Sequence, residues 1–198
     1  MSLARTIVKA ALFVACAALV AEGAKRYVSP EACKQRNYPA SAGFFGGLGA
    51  TVSLVFANLG SAYGTAKAGC GVAHLGMIAP DRIMRGIVPV VMAGILGIYG
   101  LIVAVIINNN IKTENNAYAS FAGYMHFGAG LAAGLSSLAA GLAIGIVGDT
   151  SVRAYGKQEK IFVAMILMLI FAEALGLYGL IIALLMNNTA NKVAAGCA

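Results

Sequence analysis

Ile161–Met186 reads IFVAMILMLIFAEALGLYGLIIALLM. As a helix rising 1.5 Å per residue, this stretch spans about 39 Å, enough to cross a hydrocarbon core of roughly 30 Å. Its only ionisable side chains are Glu173, at the middle, and Tyr178. A carboxylate at the bilayer centre costs roughly 2.5–3.5 kcal/mol or more. A residue placed there against that cost marks a functional site.

Three further apolar spans precede it, at about Phe44–Ala66, Gly86–Ile107 and Phe121–Val147. The 198-residue chain is 60% hydrophobic and 11% charged, with mean hydropathy +0.84. Soluble domains carry about 25% charged residues, so this is an integral membrane protein. Backbone groups in lipid must be satisfied within their own segment, and no run alternates as a barrel strand does. Four transmembrane helices are expected. The net charge of +7 falls in short segments between apolar runs, which excludes a nucleic-acid surface and reports topology instead. Segments 67–85 (Lys67, Arg82, Arg85) and 148–160 (Arg153, Lys157, Lys160) are basic, whereas 108–120 carries only Lys112 among many Asn. The first and third loops are therefore expected on the cytosolic side, and the second loop and the C-terminus on the lumenal side.

The chain is internally duplicated. Met92–Val105 (MAGILGIYGLIVAV) and Phe171–Leu184 (FAEALGLYGLIIAL) agree at eight of fourteen positions at an offset of 79. Each half also carries a G-x-A-x-G element, Gly60–Gly64 and Gly141–Gly145. Two tandem hairpins follow, the first over 43–113 and the second over 114–198, inserted with the same orientation. Gly94 stands where Glu173 stands, so one hairpin carries the acid and the other does not. Small residues recur every four positions in the first helix (Gly49, Ser53, Ala57, Ser61) and the third (Ala129, Ala133, Ser137, Gly141, Gly145). Such stripes are close-packing faces. The first and third helices are expected on the crowded inside, and the bulkier second and fourth outside.

Residues 1–24 read as a secretory signal peptide: Arg5 and Lys9, the apolar stretch Ala10–Ala21, then small residues. A retained fifth helix is the alternative. A cleaved signal leaves 25–42 as a lumenal segment, so both mature termini lie in the lumen. Cys16, Cys33, Cys70 and Cys197 lack metal spacing. They read as free thiols, with a Cys33–Cys197 disulfide as the other arrangement considered.

In lipid the neutral acid of Glu173 is tolerated and the anion is not. That asymmetry suits a proton carrier that releases its proton where a cation, most naturally an Arg on a partner, stabilises the anion. Sodium wants several oxygen ligands, and Phe171, Ala172, Ala174, Leu175, Gly94, Ile95 and Leu96 offer none from their side chains. Tyr99 and Tyr178 read first as packing residues; a hydrogen bond from one of them to the carboxyl is the other reading, and Tyr178, five residues on, is not on the Glu173 face of its helix. Asp149 reads as a solvated end charge, His126 as structural at the lumenal end of the third span, and His74 as a loop residue. Asn187-Asn188-Thr189 fits a glycosylation sequon that abuts the membrane. No cofactor, metal cluster or nucleophile–base pair is expected, so the chain has no independent enzyme active site.

Gly60–Ala73 (GSAYGTAKAGCGVA), Pro80–Met84 (PDRIM), Ile87–Val105, Gly141–Ala154 (GLAIGIVGDTSVRA) and Ile170–Leu184 (IFAEALGLYGLIIAL) closely resemble the c-type proteolipids of eukaryotic vacuolar-type proton-pumping ATPases. The likeness covers about residues 40–190 and fits the c or c′ type. It implies an all-α membrane protein whose copies form a ring, alone or mixed with related proteolipids, in the bilayer of a vacuolar, lysosomal or other endomembrane. It implies that Glu173 carries the proton, that the stator's a-type subunit supplies an Arg, and that the central stalk's d-type subunit lies beside the ring. Sodium-carrying relatives have Thr-Gln where this chain has Ile95-Leu96, which implies proton transport. One acid per two hairpins implies fewer protons per turn, so a fixed energy input sustains a steeper gradient. The N-terminal extension of about forty residues departs from the family pattern. A structural or pore-forming proteolipid uncoupled from ATP is the alternative function.

Overall fold

The computed structural model describes residues 41–111, 118 and 120–196. The expected signal peptide, nearly all of 25–42, Lys112, and Cys16, Cys33 and Cys197 with their considered disulfide lie outside the described residues. Among the described residues there are four long helices: α1 (Ser41–Ile78), α2 (Val88–Asn110), α3 (Ser120–Lys157) and α4 (Ile161–Gly196). All four are long and apolar enough to cross a membrane.

The helices outrun the apolar spans. α1 and α3 have 38 residues each, about 57 Å of helix. Most of 67–85 and 148–160, expected as loops, is therefore helical, and His74 lies within α1. Hydropathy locates the hydrocarbon boundary, whereas a helix stops only where its backbone is interrupted. Lys and Ala after position 66 are good helix formers. α1 ends where Ala79, extended at φ −145° and ψ 83°, precedes Pro80, because a residue before proline is pushed out of the helical region. A 3₁₀ turn (Pro80–Arg82) and one helical turn (Ile83–Gly86) lead to α2, with Pro89 in its first turn. The turn between α3 and α4 closes with Gln158 N–H donating to Ala154 O at 3.0 Å. Arg82 Nε meets Glu159 Oε1 at 3.1 Å, so both tight turns share one basic end.

α1 and α3 pack backbone to backbone. A Cβ on Gly130 would fall on the carbonyl oxygen of Gly49, and one on Gly141 on that of Gly60. Only glycine permits that approach. Ser53, Ala57, Ala129, Ala133 and Ser137 are buried with them. Within each hairpin the contact repeats at offset 79: Gly100 lies on Ser53 and Ala57, and Gly179 on Ala132 and Ser136. The two G-x-A-x-G elements are 81 apart and do not play equivalent parts; they face one another. Two apolar clusters result. One holds Leu75, Leu96, Ile144, Tyr155, Met165 and Leu169. The other holds Val103, Ile107, Ala129, Ala133 and Ala183. The outer faces of α2 and α4 expose Val91, Ile98, Leu101, Val163, Leu167 and Phe171.

Candidate functional site

Glu173 lies on α4 about 18 Å along the axis from Ile161, and Tyr99 on α2 about 17 Å from Val88. The neighbouring Ala172 belongs to the first apolar cluster and Ala183 to the second, so the carboxyl stands between them. Glu173 is 8% exposed. The Tyr99 hydroxyl donates to Glu173 Oε1 at 2.8 Å, joining residues 74 apart in sequence. Oε2 has no hydrogen-bond partner among the described residues. The ion pairs found among those residues do not involve Glu173. A carboxyl with one neutral donor and no counter-charge is held, not neutralised. It can exchange a proton with a group that approaches, whereas a single tyrosine oxygen is a poor shell for a hard cation.

Of the two tyrosines considered, the fold brings only Tyr99 to the acid. Tyr178 is 60% exposed. Five residues along a helix turn a side chain by about 140°, so Tyr178 points away from the Glu173 face. A Cβ at Gly94 would meet nothing within 4 Å among the described residues.

Asp149 is not the solvated end charge expected. It is 7% exposed, with Lys67 Nζ at 3.3 Å and Arg153 Nε at 2.7 Å. Lys67 comes from α1 and Arg153 from the next turn of α3, so the ion group ties the two inner helices together. The i,i+4 spacing of Asp149 and Arg153 was readable; the arrival of Lys67 depends on the α1–α3 packing. At the opposite ends of these helices, His126 is fully buried. Its Nδ1 is hydrogen-bonded to Tyr118 Oη, and the two rings stack. Burial pushes the Tyr118 phenol up to about 12. Asn110 Nδ2 donates to Asn187 Oδ1 at 3.0 Å. The sequon asparagine is thus buried within α4. No sequence signal pairs Tyr118 with His126 or Asn110 with Asn187.

A duplicated helical hairpin with a carboxyl enclosed within the apolar length of α4 defines a membrane proteolipid. The family of the ATP synthase C subunit matches residues 48–107 and 127–186, once per hairpin, in the same 79-residue register as the packing. The V-type proton ATPase 16 kDa proteolipid subunit of Chrysotila carterae is 60% identical over 153 residues, covering 76% of this chain and 93% of that protein. The human V-type proton ATPase 16 kDa proteolipid, a c-type subunit, is 53% identical over 155 residues (78% and 98%). The V-type proton ATPase proteolipid subunit of Dictyostelium discoideum is 49% identical over 158 residues (80% of each). The chain belongs to the family of the ATP synthase C subunit.

Proposed function

We propose that this chain is the proton-carrying proteolipid of the membrane sector of a vacuolar-type ATPase, working as one unit of a ring of proteolipids. The names of its relatives support the assembly. The observation that carries the site is the Glu173 carboxyl, enclosed between apolar clusters with one tyrosine donor. A proton arriving through an aqueous path on one side binds a Glu173 oxygen. The neutral acid then travels with α4 past lipid as the ring turns. When the ring brings it to an Arg of the stator's a-type subunit, the anion is stabilised and the proton leaves toward the lumen. The central stalk's d-type subunit couples the turning to ATP hydrolysis elsewhere. Tyr99 holds the acid inward between these encounters. The basic end formed by the two tight turns faces the cytosol of an endomembrane, which puts both termini in the lumen and suits residues 1–24 to export.

The test is Glu173→Gln in vesicles carrying the whole assembly. The amide keeps size and polarity but cannot release a proton at working pH. ATP-dependent acidification is expected to vanish while the assembly keeps its size. Intact acidification refutes the proposal. Sodium that slows carbodiimide labelling of Glu173 at constant pH would instead favour a sodium carrier.

A further inference from the structure

His126 is an enclosed ionisable group for which the proton-carrying role has no use. It lies roughly 35 Å along α3 from Asp149, at the end of the bundle opposite the described ion pairs. It is fully buried, and several elements meet around it. A Cβ on Gly49 of α1 would fall on its carbonyl oxygen, and one on Gly46 on the Tyr118 hydroxyl. That hydroxyl shares a hydrogen bond with His126 Nδ1, and the two rings stack. Asn187 of α4 stands beside the imidazole, with its Oδ1 already taken by Asn110 Nδ2 of α2 at 3.0 Å. His126 Nε2 has no hydrogen-bond partner among the described residues. Of the described side chains that face the ring, Tyr118 is titratable; Gly46, Gly49, Asn110 and Asn187 are not ionisable. The neutral ring has one N–H and one bare nitrogen, so a single shared hydrogen bond leaves little undone. The cation has two N–H donors and a charge. A charge enclosed without a partner is costly, so the cation belongs in water.

We propose that His126 is an acid-operated latch on the lumenal end of the bundle. While neutral, it seats Tyr118 and the ends of α1, α3 and α4 as one joint. As the lumen acidifies, a proton binds the imidazole, the charged ring leaves its seat for water, and the joint loosens about 21 Å along α4 from Glu173. This rests on the orientation and pumping role proposed above and adds to them a response to the protons delivered. The sign follows from proton binding. A histidine released to water takes a proton below about pH 6.5; the seated ring does not, so the open state binds more protons and the joint weakens as pH falls. From about pH 7.5 to about pH 5 the opening equilibrium should rise about 30-fold.

The test is amide hydrogen exchange over residues 118–130 of the full chain, in its assembly in vesicles, corrected for the pH dependence of the chemical step. With the interior brought to about pH 5, the parent should lose about 30-fold in protection there. His126→Gln, which keeps a hydrogen-bonding group but takes no charge, should lose none. Glu114→Gln removes an acid that lies between α2 and α3 in sequence and should behave as the parent. Should His126→Gln fail to assemble, His74→Gln leaves His126 as the sole histidine of the chain. Its isotope-labelled imidazole should then give the signal of a neutral ring at about pH 7.5 and of the cation only as protection is lost. An acid response that survives in His126→Gln, one that Glu114→Gln abolishes, or a ring that turns cationic with the segment still protected overturns the latch. A response to acid on the outer face alone overturns the lumenal placement with it. ATP-driven acidification is read in the same vesicles, so a failed latch with pumping intact leaves the role of Glu173 standing.

Discussion

Tyr99→Phe isolates the polar contact that the Glu173 carboxyl makes among the described residues. Phe keeps the ring, so the volume between the two apolar clusters hardly changes and repacking costs little. What is lost is a single O–H donor at 2.8 Å from Glu173 Oε1. A hydrogen bond of this kind contributes about 0.5–1.5 kcal/mol net, and each 1.4 kcal/mol is tenfold in an equilibrium. The carboxyl should therefore leave its inward position about 2- to 12-fold more often. Carbodiimide labelling reads this directly, because the reagent attacks the acid when it is protonated and accessible. More frequent release of the carboxyl therefore increases the labelling rate. At fixed pH, Glu173 of Tyr99→Phe should react about 2- to 12-fold faster than in the parent, with assembly unchanged and Tyr178→Phe far less affected. An unchanged rate would show that the Tyr99 contact does not hold the acid. A slower rate would show that the hydroxyl keeps the carboxyl in its reactive position, the reverse of the role assigned to it.

Other expectations concern the scaffold. Replacing both Lys67 and Arg153 by Met leaves Asp149 without its cations and should lower the unfolding temperature in detergent. Asp149→Asn should cost only about 1 kcal/mol, since the two cations are each nearly half exposed and can turn to water. Gly141→Leu should prevent folding or assembly, because its side chain would enter the Gly60 backbone; Gly94→Ala should be stable within about 0.5 kcal/mol. Tyr118 titrates near 12 when folded and near 10 when unfolded. Its contribution is then complete below pH 10 and is lost as pH rises toward 12. Tyr118→Phe should remove that part of the alkaline loss of stability, read from unfolding temperatures between pH 9 and pH 12.

The four helices and the acid were legible because lipid is an undemanding solvent to read. Apolar runs, loop charges and one conspicuous carboxyl carry most of the information. Helix ends were not legible in the same way, because hydropathy reports where lipid stops; α1 runs on past Lys67 to the Ala79–Pro80 break. The offset of 79 found in the second and fourth helices also sets the packing of Gly100 and Gly179 on their partners. The G-x-A-x-G likeness at 81 pointed to equivalent roles and proved to be a meeting face. The helical period already turns Tyr178 away from the Glu173 face; that Tyr99 reaches the acid depends on packing between residues 74 apart, which no local pattern carries.

Two carboxyls in this chain are buried to nearly the same degree, Glu173 at 8% and Asp149 at 7% exposure. Burial therefore does not separate their roles; their partners do. Asp149 has two cations within 3.3 Å, so its charge is matched in place. It serves to join α1 to α3. Glu173 has one neutral donor and a second oxygen with no hydrogen-bond partner among the described residues. Its charge is matched nowhere in the described chain. On the function proposed above, a group outside the chain supplies the opposite charge only while the proton leaves. Asp149 is matched in place and Glu173 is not, and a fold that placed an Arg or Lys of its own beside Glu173 would have turned the second into the first.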